Sequence, residues 1–179
     1  RAHKGKARDM NWAKKNCLTT TYVYLSLTSN LKVGVTRASH IPSRWIDQGA
    51  HYAIKFAETP NRFLAGMIEL ELSTHISDRT KWRQMIQGTY DMIDLVYKKN
   101  ELSSIISHKY KQYIINDNDL VQLQYPMVNI PNKIISINLD KNPEVSGILT
   151  GIKGQYIIID NERVLNIRKY TGYFINIDL

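Results

Sequence analysis

Tyrosine, glycine and arginine residues near the start of the chain have the types and spacing that phosphodiester chemistry uses. Tyr22 and Tyr24 lie on one predicted strand, and the next strand ends in Val33-Gly34-Val35-Thr36-Arg37. Arg44 follows at the start of a predicted helix. A guanidinium group neutralises phosphate charge, and a tyrosine hydroxyl can take part in proton transfer. This combination favours a phosphodiester ligand over a small metabolite.

A hairpin and a short helix must position these residues. Residues 21–28 and 31–36 are rich in Val, Leu, Tyr and Thr, so they predict two strands joined by a two-residue turn at Ser29-Asn30. Residues 43–48 lie between a proline and a glycine, which is typical of a short helix. Residues 52–57 predict a third strand.

Helices are predicted in the middle of the chain. Asn61 caps a helix that extends to Ser77, because the apolar residues of this stretch recur every four positions. Asp78 caps a second helix around residues 82–86. Residues 90–115 predict a longer and looser helical segment.

The last third of the chain has a different pattern. After a polar linker at residues 116–119, short β-branched runs alternate with prolines and glycines. Residues 156–159, 164–167 and 173–177 are typical of strands. Short strands at this spacing predict a small antiparallel β-barrel.

The composition limits the class of protein. The chain has 179 residues, of which 43% are hydrophobic, and this is enough for a sizeable core. It contains no apolar run long enough to cross a membrane and no secretion signal at its start, so no membrane partner is expected. The single cysteine, Cys17, excludes an internal disulfide and is typical of a reducing compartment, so we expect a cytoplasmic protein.

The positive charge is concentrated at the start of the chain. The formal net charge is +8, and residues 1–60 carry ten Lys and Arg against three Asp and Glu. The later segments are nearly balanced. This distribution is typical either of a surface that binds a polyanion such as DNA or RNA, or of a solvated basic face.

The order hairpin, helix, strand, helix over residues 21–77 resembles the GIY-YIG endonuclease domain. Tyr22-Val23-Tyr24 is similar to the first motif of that family, and Lys32-Val33-Gly34 is similar to the second. Arg44 matches the arginine that binds phosphate. Glu69, on the later helix, matches the glutamate that holds one divalent metal ion.

The resemblance implies a nucleic-acid-binding protein that cleaves phosphodiester bonds with Mg²⁺. The implied catalytic residues are Tyr22, Tyr24, Arg44 and Glu69, the implied phosphate-binding residues are Lys32, Arg37 and Arg44, and the implied metal ligand is Glu69. The tyrosines would form the base network, the arginines would neutralise the developing charge, and the metal would stabilise the leaving oxygen.

Three features depart from the pattern of that family. Tyr22 replaces the usual glycine of the first motif, and Lys32 replaces the usual tyrosine of the second. The segment between Gly34 and Arg44 is two residues longer than usual. Helical spacing also places Glu71, rather than Glu69, on the apolar face, which predicts that Glu71 is buried against an arginine or lies in a site.

A second resemblance covers most of the chain. The strings at residues 41–50, 64–69, 75–83 and 151–156 are similar to an uncharacterised bacterial family, domain of unknown function 2797. This resemblance implies no established activity. Full-length members of that family carry a Cys-rich, zinc-ribbon-like segment upstream.

The resemblance to this second family also indicates which residues could bind zinc. His3 and Cys17 match ligand positions of that family, whereas Ala7 occupies a usual cysteine position. Structural zinc takes four nitrogen or sulfur ligands, and this chain supplies two. We therefore expect no zinc in this chain, although it begins with Arg1 and further ligands could lie upstream.

The sequence as a whole predicts an α+β protein: a GIY-YIG-like small mixed sheet with flanking helices, followed by a small β-barrel-like domain. The expected segments are a basic extended arm (1–17), the GIY-YIG-like domain (18–88), a helical connector (89–118) and the barrel (119–179). The expected function is binding of DNA or RNA, and the resemblance adds Mg²⁺-dependent phosphodiester cleavage as the activity to test. The alternatives are a non-catalytic nucleic-acid-binding module and a protein-interaction scaffold.

Overall fold

The chain forms two units, each with its own β-sheet. The structure, a computed structural model, describes residues 1–76 and 81–178. Unit 1 comprises Arg1–Leu123 and unit 2 comprises Gln124–Leu179. The α+β class is confirmed, because both sheets are small and unit 1 adds several helices.

The sheet of unit 1 has four strands in the order β2-β1-β3-β4, and all its pairings are antiparallel. Its strands are β1 (Thr21–Leu27), β2 (Leu31–Arg37), β3 (Tyr52–Thr59) and β4 (Leu120–Gln122). The hairpin and the third strand are therefore confirmed, whereas the predicted mixed sheet is wrong. The fourth strand comes from the far end of the unit and joins β3.

The helices of unit 1 are α1 (Met10–Asn16), α2 (Ser43–Asp47), α3 (Arg62–Ser73), α4 (Trp82–Ile86) and α5 (Leu95–Ile105). Asn61 caps α3 as predicted, because its side chain accepts a hydrogen bond from the Leu64 N–H at 2.9 Å. The predicted cap Asp78 lies outside the described residues. The expected extended arm is wrong, since residues 10–16 form α1, whose first turn is capped by Asp9.

One apolar core fills the space between the sheet and two helices. Alternate residues of β1 (Val23, Leu25 and Leu27) point into this core and are at most 2% exposed. Residues of α3 and α5 complete it, among them Ala65, Ile68, Leu72 and Leu102. Because side chains alternate along a strand, Tyr22, Tyr24 and Ser26 lie on the opposite face of the sheet.

Unit 2 is an open sheet and not a closed barrel. Its strands are β5 (Ile135–Ser136), β6 (Leu149–Lys153), β7 (Tyr156–Ile159) and β8 (Arg163–Asn166), in the order β5-β8-β7-β6. The pairing of β5 with β8 is parallel, so the predicted antiparallel barrel is wrong. The predicted strand over residues 173–177 is wrong as well, because this tail has no regular structure and is exposed.

A buried lysine lies at the end of β6. Lys153 is 3% exposed, and its Nζ lies 5.5 Å from the centre of the Tyr125 ring. Burial lowers the pKa of Lys153 to about 8, because transfer out of water disfavours the charged form. The lysine charge is therefore a stability cost of unit 2 at neutral pH.

The variant Lys153→Met should stabilise unit 2 at pH 7, on the order of 2 kcal/mol. Between pH 8 and 10.5, Lys153 is protonated in the unfolded state and mostly neutral in the folded state. Over this range, Lys153 therefore makes the free energy of unfolding rise with pH. Below pH 8 both states are protonated and the cost is constant. Urea unfolding at pH 7 to 10 should show the stability difference shrinking as pH rises. Parallel pH profiles would contradict this account.

Candidate active site

The hydroxyl of Tyr24 is the centre of the candidate site. Tyr24 is fully buried, and its hydroxyl donates a hydrogen bond of 3.0 Å to Oε1 of Gln48. Its ring packs edge-on against Trp45, with ring centroids 6.0 Å apart. Gly34 lies directly opposite Tyr24 on β2, and its missing side chain leaves the space that the ring occupies.

Helix α2 presents two polar residues to this hydroxyl. Arg44 and Gln48 are four residues apart, so they lie on one side of a helical turn. Trp45, between them in sequence, is 1% exposed and anchors the helix in a small apolar cluster with Tyr24, Ala50 and Ala53. The anchor explains why so short a helix holds a fixed position.

Burial and the charged groups around the hydroxyl of Tyr24 shift its pKa. Burial raises this pKa, the charge and polar contact of Arg44 lower it, and the negative charge of Glu69 raises it. Since the net direction is upward, Tyr24 is a neutral phenol at neutral pH. The four residues Tyr24, Arg44, Gln48 and Glu69 are called the tyrosine cluster below.

The tyrosine cluster brings together three of the residues that the sequence predicted. Arg44 and Glu69 are both half-buried, so both are reachable from solvent, whereas Tyr24 is not. Their catalytic roles stay predictions. A hydroxylate at Tyr24 is disfavoured by its raised pKa.

Tyr22, Lys32 and Arg37 lie outside this cluster. The ring of Tyr22 is 5.1 Å from Nζ of Lys55; burial raises the pKa of Tyr22, and the nearby Glu58 raises it further. Lys32 is half-buried on β2, two residues before Gly34. The guanidinium of Arg37 donates a hydrogen bond to Oδ1 of Asn16, at the end of α1.

The two glutamates of α3 have different environments. Glu71 is half-buried, and its Oε1 accepts a hydrogen bond of 2.6 Å from the backbone N–H of Ser107. Glu71 therefore ties α3 to the segment after α5. Glu69 is the glutamate that acts on Tyr24.

Sequence reasoning missed Gln48. The available signal was its position four residues after Arg44, which places both side chains on the same side of α2. Nothing in the sequence indicates that the hydroxyl of Tyr24 lies opposite them, because that contact depends on how α2 packs on the sheet.

The donor set limits which metal the site could hold. Among the described residues, no three His, Cys, Asp or Glu side chains come together as a metal site. His3 stacks on Phe63 with ring centroids 3.8 Å apart, whereas Cys17 lines a pocket together with Ala7. One carboxylate suits Mg²⁺, which keeps several waters and takes phosphate oxygens from its substrate. Glu69 is the carboxylate whose charge acts on Tyr24.

No helix within the described residues is long and apolar enough to cross a membrane.

Comparison with known proteins places the chain in a family. No curated protein and no solved structure matches the chain. A family model described as Protein of unknown function (DUF2797) matches residues 1–175, which is nearly the whole chain. The chain therefore belongs to the DUF2797 family.

Proposed function

We propose that this chain binds nucleic acid and cleaves phosphodiester bonds with one Mg²⁺ ion, as a GIY-YIG-like endonuclease. The observation that supports this proposal is that Arg44 and Glu69 both act on the hydroxyl of Tyr24. A cation and an anion that both act on one neutral hydroxyl can serve one phosphate group and its metal ion. The single cysteine suits a cytoplasmic location.

Each residue of the tyrosine cluster has a distinct role in this proposal. Arg44 binds the phosphate and neutralises the charge that develops on its oxygens. Tyr24, held by Gln48, keeps the guanidinium of Arg44 in position and stays protonated. Tyr24 is thus a positioning residue, which replaces the earlier expectation that it serves as the base.

Glu69 holds the metal ion in this proposal. Bound Mg²⁺ supplies Lewis-acid stabilisation of the leaving oxygen. Lys32 and the basic N-terminal segment contribute phosphate contacts farther along the strand. The excess of positive charge in residues 1–60 supports a polyanionic substrate.

A non-catalytic nucleic-acid-binding module is the second candidate. Two observations favour it: Tyr24 is fully buried, and Lys32 occupies the position where the second motif usually has a tyrosine. Both features weaken proton transfer while they leave the basic surface intact.

The neighbouring glutamates of α3 provide the test. Glu69→Gln should lower Mg²⁺-dependent cleavage of single-stranded and branched DNA and RNA at least a hundredfold, because the amide removes the anionic metal ligand. Glu71→Gln is the matched control, since glutamine can still accept the hydrogen bond from Ser107. This control should retain cleavage within about threefold.

The binding measurement separates the two candidates. The affinity of Glu69→Gln for DNA or RNA should match the wild type and should fall steeply with salt concentration. If the folded wild-type protein binds but cuts no substrate with Mg²⁺ or Mn²⁺, the non-catalytic module is correct. If it neither binds nor cuts, both candidates fall, and a protein-interaction scaffold becomes the better description.

A further inference from the structure

A pocket lies in the N-terminal segment and shares no lining residue with the tyrosine cluster. Its volume is about 480 Å³, which is within the usual range for small-molecule sites. The lining residues that matter here are Lys6, Arg8, Asp9, Trp12, Ala13 and Cys17.

The pocket combines an exposed aromatic ring with positive charge. Trp12 is 58% exposed, although a tryptophan usually buries most of its ring. Lys6 and Arg8 are exposed beside it. Asp9 is the one carboxylate of the lining, and its Oδ1 accepts the backbone N–H of Trp12 at 2.9 Å. Positive charge therefore dominates the pocket.

We propose that this pocket holds one unstacked nucleotide of a single-stranded DNA or RNA. The base stacks on the indole of Trp12, and Lys6 and Arg8 contact its phosphates. Aromatic stacking with flanking cations is the general means by which proteins bind single strands, because every base has a π-face. The choice of a nucleic acid as the ligand rests on the proposed function.

The pocket is attached to the elements that carry the tyrosine cluster. The backbone N–H of Arg62, at the start of α3, donates a hydrogen bond of 2.9 Å to the carbonyl of Cys17. Glu69 lies seven residues farther along α3, which is about 10 Å at 1.5 Å per residue. The pocket is therefore joined through α3 to the glutamate of the tyrosine cluster.

Alkylation of Cys17 tests this inference without any cleavage. Cys17 is the single cysteine of the chain and lines the pocket, so a bound nucleotide should shield its thiol. With EDTA present, a single-stranded 12-mer at saturating concentration should slow alkylation by iodoacetamide at least fivefold. A duplex of the same sequence should slow it less than twofold. Mass spectrometry gives the rate.

Two variants of Trp12 provide the control. Trp12→Ala should abolish the protection and weaken binding of the 12-mer about tenfold, in line with the stacking energy of one base. Trp12→Phe keeps an aromatic face and should retain most of the protection. Because Trp12 is exposed, both variants should fold, and circular dichroism would verify this.

The other outcomes overturn the inference in different ways. If the duplex or a poly-glutamate peptide protects Cys17 as well as the 12-mer does, the pocket binds polyanions through charge alone and holds no stacked base. Binding of the 12-mer without protection of Cys17 would place the strand elsewhere and leave the proposed function intact. Absence of any binding would remove both the inference and the proposed function.

Discussion

Replacing Gly34 by alanine is expected to destabilise unit 1 by about 1 to 3 kcal/mol, the usual cost of overpacking a core. An added Cβ would lie 2.6 Å from both Cζ and the hydroxyl oxygen of Tyr24, which is closer than real Cβ contacts. The ring cannot move aside easily, because it is fully buried against Trp45. Urea unfolding of the wild type and the variant measures the difference in free energy of unfolding.

Gly66→Ala is the matched control for this prediction. Gly66 lies within α3, and an added Cβ there meets no atom within 4 Å. Alanine is the better helix former, so this variant should be more stable than the wild type by about 0.5 to 1 kcal/mol. If Gly34→Ala were equally well tolerated, the close packing of Tyr24 on Gly34 would be wrong.

Measuring the effect of Gly34→Ala in a protein that also carries Tyr24→Leu extends the same test. Leucine lacks the ring atoms that the added Cβ meets, so Gly34→Ala should cost less in this background than in the wild type. The double-mutant cycle isolates the contact between the two positions. Equal costs in both backgrounds would assign the effect of the alanine to the backbone of β2 instead.

Replacing Arg44 by glutamine is expected to lower kcat for Mg²⁺-dependent cleavage by about 10² to 10³. Among the described residues, the guanidinium of Arg44 is the cation that lowers the pKa of Tyr24. The same change should raise the pKa of Tyr24 further, since Arg44 lowers it. Single-turnover kinetics would measure the first effect, and NMR titration of labelled tyrosine would measure the second.

Arg37→Gln is the control for this prediction. Arg37 contacts Asn16 instead of Tyr24, so its loss should reduce kcat less than about tenfold and leave the pKa of Tyr24 unchanged. Arg44→Lys should rescue cleavage only in part, because lysine keeps the charge but not the planar pair of donors. Equal losses in Arg37→Gln and Arg44→Gln would remove the special role of Arg44.

Local signals in the sequence predicted the first half of unit 1 well. The hairpin, the short helix α2 and the cap at Asn61 each depend on residues within a few positions of one another. Such interactions can be read without knowledge of the fold. The predicted two-residue turn is wrong, because residues 28–30 form a three-residue loop between β1 and β2. The extra loop residue shifts the register by one position and places Gly34, instead of Val35, opposite Tyr24.

Predictions that depend on distant residues were less successful. The parallel pairing of β5 with β8 joins strands separated by more than twenty residues, so no local pattern distinguishes an open sheet from a barrel. Residues 173–177 have a strand-like composition, but a strand also needs a neighbour to satisfy its hydrogen bonds. α1 was missed because its helix has only one buried apolar residue, Ala13.

The sequence by itself determined the family, the α+β class, the basic first third of the chain and the candidate residues Tyr24, Arg44 and Glu69. The tertiary structure decided which of these act together. It placed Gln48 and Arg44 at the hydroxyl of Tyr24, and it assigned Glu71 to Ser107. The physical reason is that residue types carry chemical capability, whereas proximity and the resulting pKa shifts arise when a helix packs on a sheet and water is excluded.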